Sequence, residues 1–224
     1  MKEIDVLGIK IRDYSLKESL DAVKLYSDEG RVRTATCLFP RIFLDFADQH
    51  LLKEWIESLD LTVCDSYELL HGQNRSFFNL HSRSMKIHDF LELVFKYAAG
   101  SGKAIMVAAQ TPDQMELVKT YVRGMQETVE IGAEYILEDY ERRDRLYNEI
   151  NDVVPGLLIT AFPCETQAKL MLEGKKYINA SLWLALPLES LKKGKEPKKM
   201  REDGLFERLR MHLRMKRYES REKP

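Results

Sequence analysis

The sequence predicts an α/β fold, a mostly parallel sheet with helices on both faces (Rossmann-like), followed by a basic amphipathic C-terminal helical appendage. Three observations predict it. Short apolar runs alternate with helical patterns of about 10–15 residues. Several of those runs are apolar throughout, as strands covered on both faces are. The charge then changes abruptly. Residues 192–224 hold 13 Lys/Arg against six Asp/Glu, a net of +7, whereas the chain totals −1, so residues 1–191 carry −8. An α/β body over 1–191 and an appendage over 192–224 are therefore expected, each meeting different partners.

The elements follow in order. Asp5–Ile11 alternates as a short strand and can form one arm of a hairpin. Ser15-Leu16-Lys17-Glu18 is a capping box, and Leu16, Leu20 and Val23 continue the apolar face of its helix. Arg33–Leu38 is a strand ended by Phe39-Pro40, with a helix over roughly 41–58 behind it. Leu61–Cys64 is a buried-type strand ending at Asp65, and His88–Ala99 is helical. Ala104–Ala109 is a strand, and Thr111-Pro112 opens the next helix with proline in its first turn. Glu130–Tyr135 reads as a further strand, Arg142–Val153 as a helix, and Gly156–Ala161 as a strand ending at Phe162-Pro163. A helix over 165–173 and a strand over Lys176–Leu182 close the body.

In such a fold ligands sit outside the carboxyl ends of the strands. That topology selects Phe39, Asp65, Gln110, Thr111, Pro163, Glu165 and Gln167. Asp65 is expected at the carboxyl end of a central strand, close to Pro163 and Thr111. There it either caps a following helix or acts as a general base. Arg83 and Lys86 are either exposed loop charges or a grip on a diphosphate. His71, His81 and His88 read as surface or satisfied polar residues.

Composition excludes several classes. No apolar run approaches the roughly 20 residues that span a bilayer. The start, Met1-Lys2-Glu3-Ile4-Asp5, lacks the apolar stretch of a signal peptide, so a cytoplasmic protein is expected. Cys37, Cys64 and Cys164 are odd in number and far apart, and no histidine falls at metal-ligand spacing with them. No metal and no other cofactor is expected. The GxGxxG, Walker, GxSxG and HExxH patterns are all missing.

In the tail, Leu205, Leu209 and Leu213 recur every four residues, with Arg208, Arg210, Arg214, Lys216 and Arg217 around them. This predicts a basic amphipathic helix opening after Asp203-Gly204. It can lie on an anionic membrane or pack on its own domain. With little aromatic interleaving, nucleic acid is not an expected partner.

Asp5–Ile11 followed by Asp13-Tyr-Ser-Leu-Lys-Glu-Ser-Leu20 resembles the opening of the WecG/TagA/CpsF glycosyltransferases. The resemblance continues along the chain, through Asp65 after its strand, Ser84–Phe90, Ile105–Pro112, Leu158–Glu165, Glu196–Met200 and Gly204–Leu209. It implies transfer of a sugar, often N-acetylmannosamine, from a UDP-sugar donor to a lipid-diphosphate-linked acceptor in cell-surface polysaccharide or teichoic-acid-type synthesis. It implies a peripheral location at the inner face of the cell membrane, with the appendage touching an anionic surface. Asp65 would be catalytic, and Arg83, Thr111, Glu165, Gln167, Arg208, Arg210 and Arg214 would bind substrate. A homo-oligomer is compatible with it.

The sequence departs from the family at two glycine positions and at one polar turn. Asp65-Ser66 replaces Asp-Gly, Ala108-Ala109 replaces Gly-Gly, and Pro163-Cys164-Glu165-Thr166 replaces Pro-Lys-Gln-Glu. These changes predict an altered donor pocket and leave open an impaired relative acting as a scaffold in polysaccharide assembly.

Overall fold

The computed structural model describes residues 2–6, 9–14, 16–26, 31–38, 49–64 and 87–191. Strands β1 (Lys2–Val6) and β2 (Ile9–Asp13) form an antiparallel pair with Ile4 opposite Ile11. Helix α1 (Leu16–Tyr26) follows; Ser15, its expected cap, lies outside the described residues. The body continues as β3 (Arg33–Leu38), α2 (His50–Ser58), β4 (Leu61–Cys64), α3 (Ile87–Gly100), β5 (Ile105–Ala109) and α4 (Pro112–Met125). It closes with β6 (Ala133–Ile136), α5 (Arg143–Val153), β7 (Leu157–Ala161), α6 (Cys164–Gly174), β8 (Leu182–Ala185) and α7 (Leu188–Leu191).

The six later strands form one sheet in the order β4-β3-β8-β7-β5-β6, and every neighbouring pair is parallel. Alternate residues of each strand face opposite sides. Met106, Ala108, Leu158 and Trp183 pack with α2, α5 and α6 on one face. Ala35, Val63, Val107, Ile159 and Leu184 pack with α1, α3 and α4 on the other. β5 and β7 are buried at every position, which accounts for their unbroken apolar composition.

Two expectations are corrected in detail. Of the helix expected over 41–58, the described part begins at His50, and residues 41–48 lie outside the described set. The last strand is Leu182–Ala185 rather than Lys176–Leu182. Residues 177–180 alternate exposed and buried as a strand would, with Ile178 and Ala180 inside. Their polar groups bond elsewhere. Asn151 Nδ2 donates to the Tyr177 carbonyl at 2.9 Å, and the Asn179 N–H donates to Asn151 Oδ1 at 2.7 Å. The end of α5 thus holds this segment, and pairing starts only where Leu182 meets Leu157 and Arg33.

The amino end of the sheet is fastened by Asp60, which lies between α2 and β4. Its carboxylate accepts from Lys175 Nζ at 2.7 Å, from the Thr34 N–H and hydroxyl at 2.9 Å each, and from Arg33 Nη1 at 3.1 Å. Burial alone would raise this carboxyl. The hydrogen bond from Lys175, the Thr34 N–H and the Lys175 charge outweigh burial and hold it at about 2, down from 3.8. Because the folded value lies below the unfolded one, the stabilisation is complete above about pH 4 and is lost as the pH falls towards 2.

Asp60→Asn should therefore cost about 1–2 kcal/mol at pH 7, the partly solvated setting reducing what the full shift would give. Urea unfolding of both proteins should show the difference shrinking below about pH 4. A difference independent of pH would remove the carboxylate as its source.

Val154 ends α5 in the left-handed region at φ 48°, a conformation that a β-branched residue adopts only under strain. Val154→Gly should stabilise by about 0.5–1 kcal/mol, raising the thermal midpoint by about 2–4 °C. A lowered midpoint would show that the valine methyls contribute more than the strain costs.

Candidate functional site

The crossovers of the sheet reverse direction between β5 and β7. From β5 the chain goes outward to β6, and from β7 it goes inward to β8. α4 and α6 accordingly start side by side at the carboxyl ends but on opposite faces. This is the crevice where open parallel sheets bind ligands. Its walls are the turns Gln110-Thr111 and Phe162-Pro163. The Leu186 and Leu188 N–H groups donate to the Thr160 and Phe162 carbonyls at 2.9 and 3.2 Å, which ties the chain beyond β8 to the same rim.

The two helix starts differ. Thr111 is the cap of α4, its Oγ1 accepting from the Gln114 N–H at 3.3 Å. Gln114 Oε1 returns the favour by accepting from the Gln110 N–H at 3.1 Å. α6 has no side-chain cap, with Pro163 at the cap position. Glu165 is exposed in the first turn of α6, where a negative charge suits the helix dipole, and pairs with Lys169 Nζ at 2.7 Å. Cys164 is buried at the first position of α6.

Gln167 is wholly buried. Its Nε2 donates to Thr160 Oγ1 at 2.8 Å, and Trp183 Nε1 donates to the same oxygen at 2.8 Å. Gln167 Oε1 has no partner among the described residues. Thr160 and Trp183 were not singled out from sequence. The only signal was a threonine inside the apolar run Leu157–Ala161. On β3, Thr36 Oγ1 donates to the Ala185 carbonyl at 3.1 Å, another buried hydroxyl near the same ends.

Of the residues expected in the site, Thr111, Glu165 and Gln167 are described and stand at this crevice or directly beneath it. Asp65, Arg83, Arg208, Arg210 and Arg214 lie outside the described residues, as do Phe39 and the helix expected over 204–217. The position of β4 corrects one expectation. β4 is an edge strand of the sheet, not a central one. Its carboxyl end is three strands from that of β7 and four from that of β5, about 14 and 19 Å at the usual strand spacing. The carboxyl end of β4 and the β5/β7 crevice are therefore separate places along one rim of the sheet.

Among the described residues no group of three or more His, Cys, Asp or Glu gathers as a metal site, and no helix is long and apolar enough to cross a membrane. Residues 4–217 match the glycosyl transferase WecG/TagA/CpsF family. No individual curated protein matches the chain. A match from β1 through most of the basic tail, on an open parallel sheet with a crevice at its carboxyl ends, shows that this chain belongs to the WecG/TagA/CpsF family, glycosyltransferases of cell-surface polysaccharide synthesis.

Proposed function

We propose that the chain transfers an N-acetylmannosamine-like hexose from a UDP-sugar to a lipid-diphosphate-linked acceptor at the inner face of the cell membrane. The observation that carries this reading is the family match over 4–217, which spans Asp65, the crevice residues and Arg208–Arg214 together. In this reading Asp65 takes the proton of the acceptor hydroxyl. The oxygen bonds to the anomeric carbon as the bond from that carbon to the diphosphate oxygen breaks, and UDP leaves with the electron pair. Arg83, Arg208, Arg210 and Arg214 neutralise diphosphate charge. Thr111, Glu165 and Gln167 contact the donor. The body over 1–191 supplies the pocket, and the appendage over 192–224 meets the membrane.

The edge position of β4 suits an elongated pair of substrates. A base at the β4 end and a donor reaching towards β7 would occupy neighbouring stretches of the same rim. Two of the replaced glycines do not count against the active reading. Ala108 and Ala109 lie within β5, and the only non-glycine at positive φ among the described residues is Val154. The backbone there asks for no glycine, so the exchange adds two buried methyl groups without strain.

Asp65→Asn should leave the fold intact and reduce sugar transfer by about 10²–10⁴-fold, the usual contribution of a general base. Transfer within about threefold of the parent would exclude Asp65 from that role. The assay is radiolabelled sugar transfer to a lipid-diphosphate acceptor, with calorimetry confirming that the variant still binds donor.

The full chain should also pellet with vesicles containing anionic lipid, and a chain ending at residue 194 should not. Leu205, Leu209 and Leu213 supply insertion, while the arginines and lysines supply attraction that added salt screens. Equal pelleting of the two chains, or none by either, would assign the tail to packing alone.

A further inference from the structure

Between α5 and the end of α6 lies an open groove of about 580 Å³, within the roughly 300–1,000 Å³ of small-ligand sites. It reaches Tyr177, beyond the carboxyl terminus of α6, and so lies away from the β5/β7 crevice, where α6 begins. Its floor is fixed. Tyr147 is buried, its hydroxyl donates to the Leu170 carbonyl at 3.3 Å, and Gly174 has no Cβ to meet its ring. Tyr177 stacks on Tyr147 with 6.4 Å between ring centroids, yet is 58 % exposed. Asn151 uses its whole amide on the backbone around Tyr177, donating to the Tyr177 carbonyl at 2.9 Å and accepting from the Asn179 N–H at 2.7 Å. An aromatic ring is thus held at the surface rather than folded inward.

The walls set the polarity of what can bind. Arg143 and Lys176 are balanced by Asp144 and Glu173, so the groove has no net charge with which to draw an anion or a cation. The guanidinium of Arg143 is held in place, its Nε 3.0 Å from Glu173 and its centre 4.7 Å from that of the Tyr140 ring. The cations donate, the carboxylates accept, and the Asn148 amide does both. Hydroxyl groups, which also do both, match such a lining. Lys176 Nζ stands over the Tyr177 ring, 4.8 Å from its centroid. The C–H face of a pyranose carries the same polarity towards a ring, and in taking that place it leaves the ammonium to donate to sugar hydroxyls.

We propose that this groove is a second saccharide site, which takes a neutral oligosaccharide with one ring stacked on Tyr177 and its hydroxyls on Asn148, Glu173 and Lys176. It is separate from the crevice and does not rest on the donor reading. The test is calorimetry and saturation-transfer NMR on the full chain with cellobiose, maltose and N,N′-diacetylchitobiose, alongside calorimetry with UDP. The parent should bind at least one of the three with millimolar affinity. Tyr177→Ala should weaken that binding about three- to tenfold, the worth of one aromatic stacking contact, while Tyr177→Phe keeps it. Both variants should keep the thermal midpoint and the UDP affinity of the parent. Should Tyr177→Ala not fold, Asn148→Ala takes its place with the same expected loss. Binding of none of the three by the parent, or equal binding by parent and Tyr177→Ala, would overturn the inference. So would displacement of the saccharide by UDP, which would put it in the crevice, or weaker UDP binding by Tyr177→Ala, which would make the groove an anion site.

Discussion

The handedness of the crossovers is the constraint on which the architecture depends. A strand, its helix and the next parallel strand join in one hand only. Connections running one way along the sheet must therefore use one face, and those running the other way must use the opposite face. The chain obeys this throughout. The steps from β3 to β4, from β6 to β7 and from β7 to β8 run the same way and carry α2, α5 and α6 on one face. The steps from β4 to β5 and from β5 to β6 run the other way and carry α3 and α4 on the other. Where a strand of the first kind meets one of the second, the helices diverge and leave a gap. That gap is the β5/β7 crevice.

The two ends of the sheet are held differently. At the amino end, Asp60 collects Arg33, Thr34 and Lys175 around one carboxylate, joining the starts of β3 and β4 to the end of α6. At the carboxyl end, the same α6 begins with no side-chain cap and carries a buried glutamine whose Oε1 has no partner among the described residues. One helix is thus fixed by a strong, partly buried charge cluster at its far end and left incompletely satisfied at its near end. The helix also packs closely along its length. A Cβ on Gly174 would come within 2.7 Å of the Tyr147 ring, and Trp55 Nε1 reaches Met171 Sδ at 3.1 Å.

Much of this was legible in the sequence, for stated reasons. The continuous apolar runs of β5 and β7 required burial on both sides, and Thr111-Pro112 marked the start of α4 because cap and proline each fit only there. The segment before β8 misled because Ile178 and Ala180 alternate with exposed neighbours, and alternation records burial rather than pairing. The edge position of β4 was not legible at all. Strand order is set by which faces the helices take, and local sequence carries no trace of it. Thr160 and Trp183 escaped notice for a related cause. Each looks like an ordinary strand residue until β7, β8 and α6 bring the three polar groups together.

The glycine replacements take on a different meaning once the strands are placed. A glycine is indispensable where the backbone must enter the left-handed region or where a Cβ would collide. Ala108 and Ala109 meet neither condition, since both are in extended β5 and fully buried without positive φ. Their methyl groups face opposite sides of the sheet, Ala108 towards α5 and α6 and Ala109 towards α3 and α4. Only the space beside the crevice changes, by one methyl on each side. Such a change alters the space beside the crevice and leaves the course of the backbone as it is. The two exchanges are therefore a change of side-chain volume, not of backbone conformation.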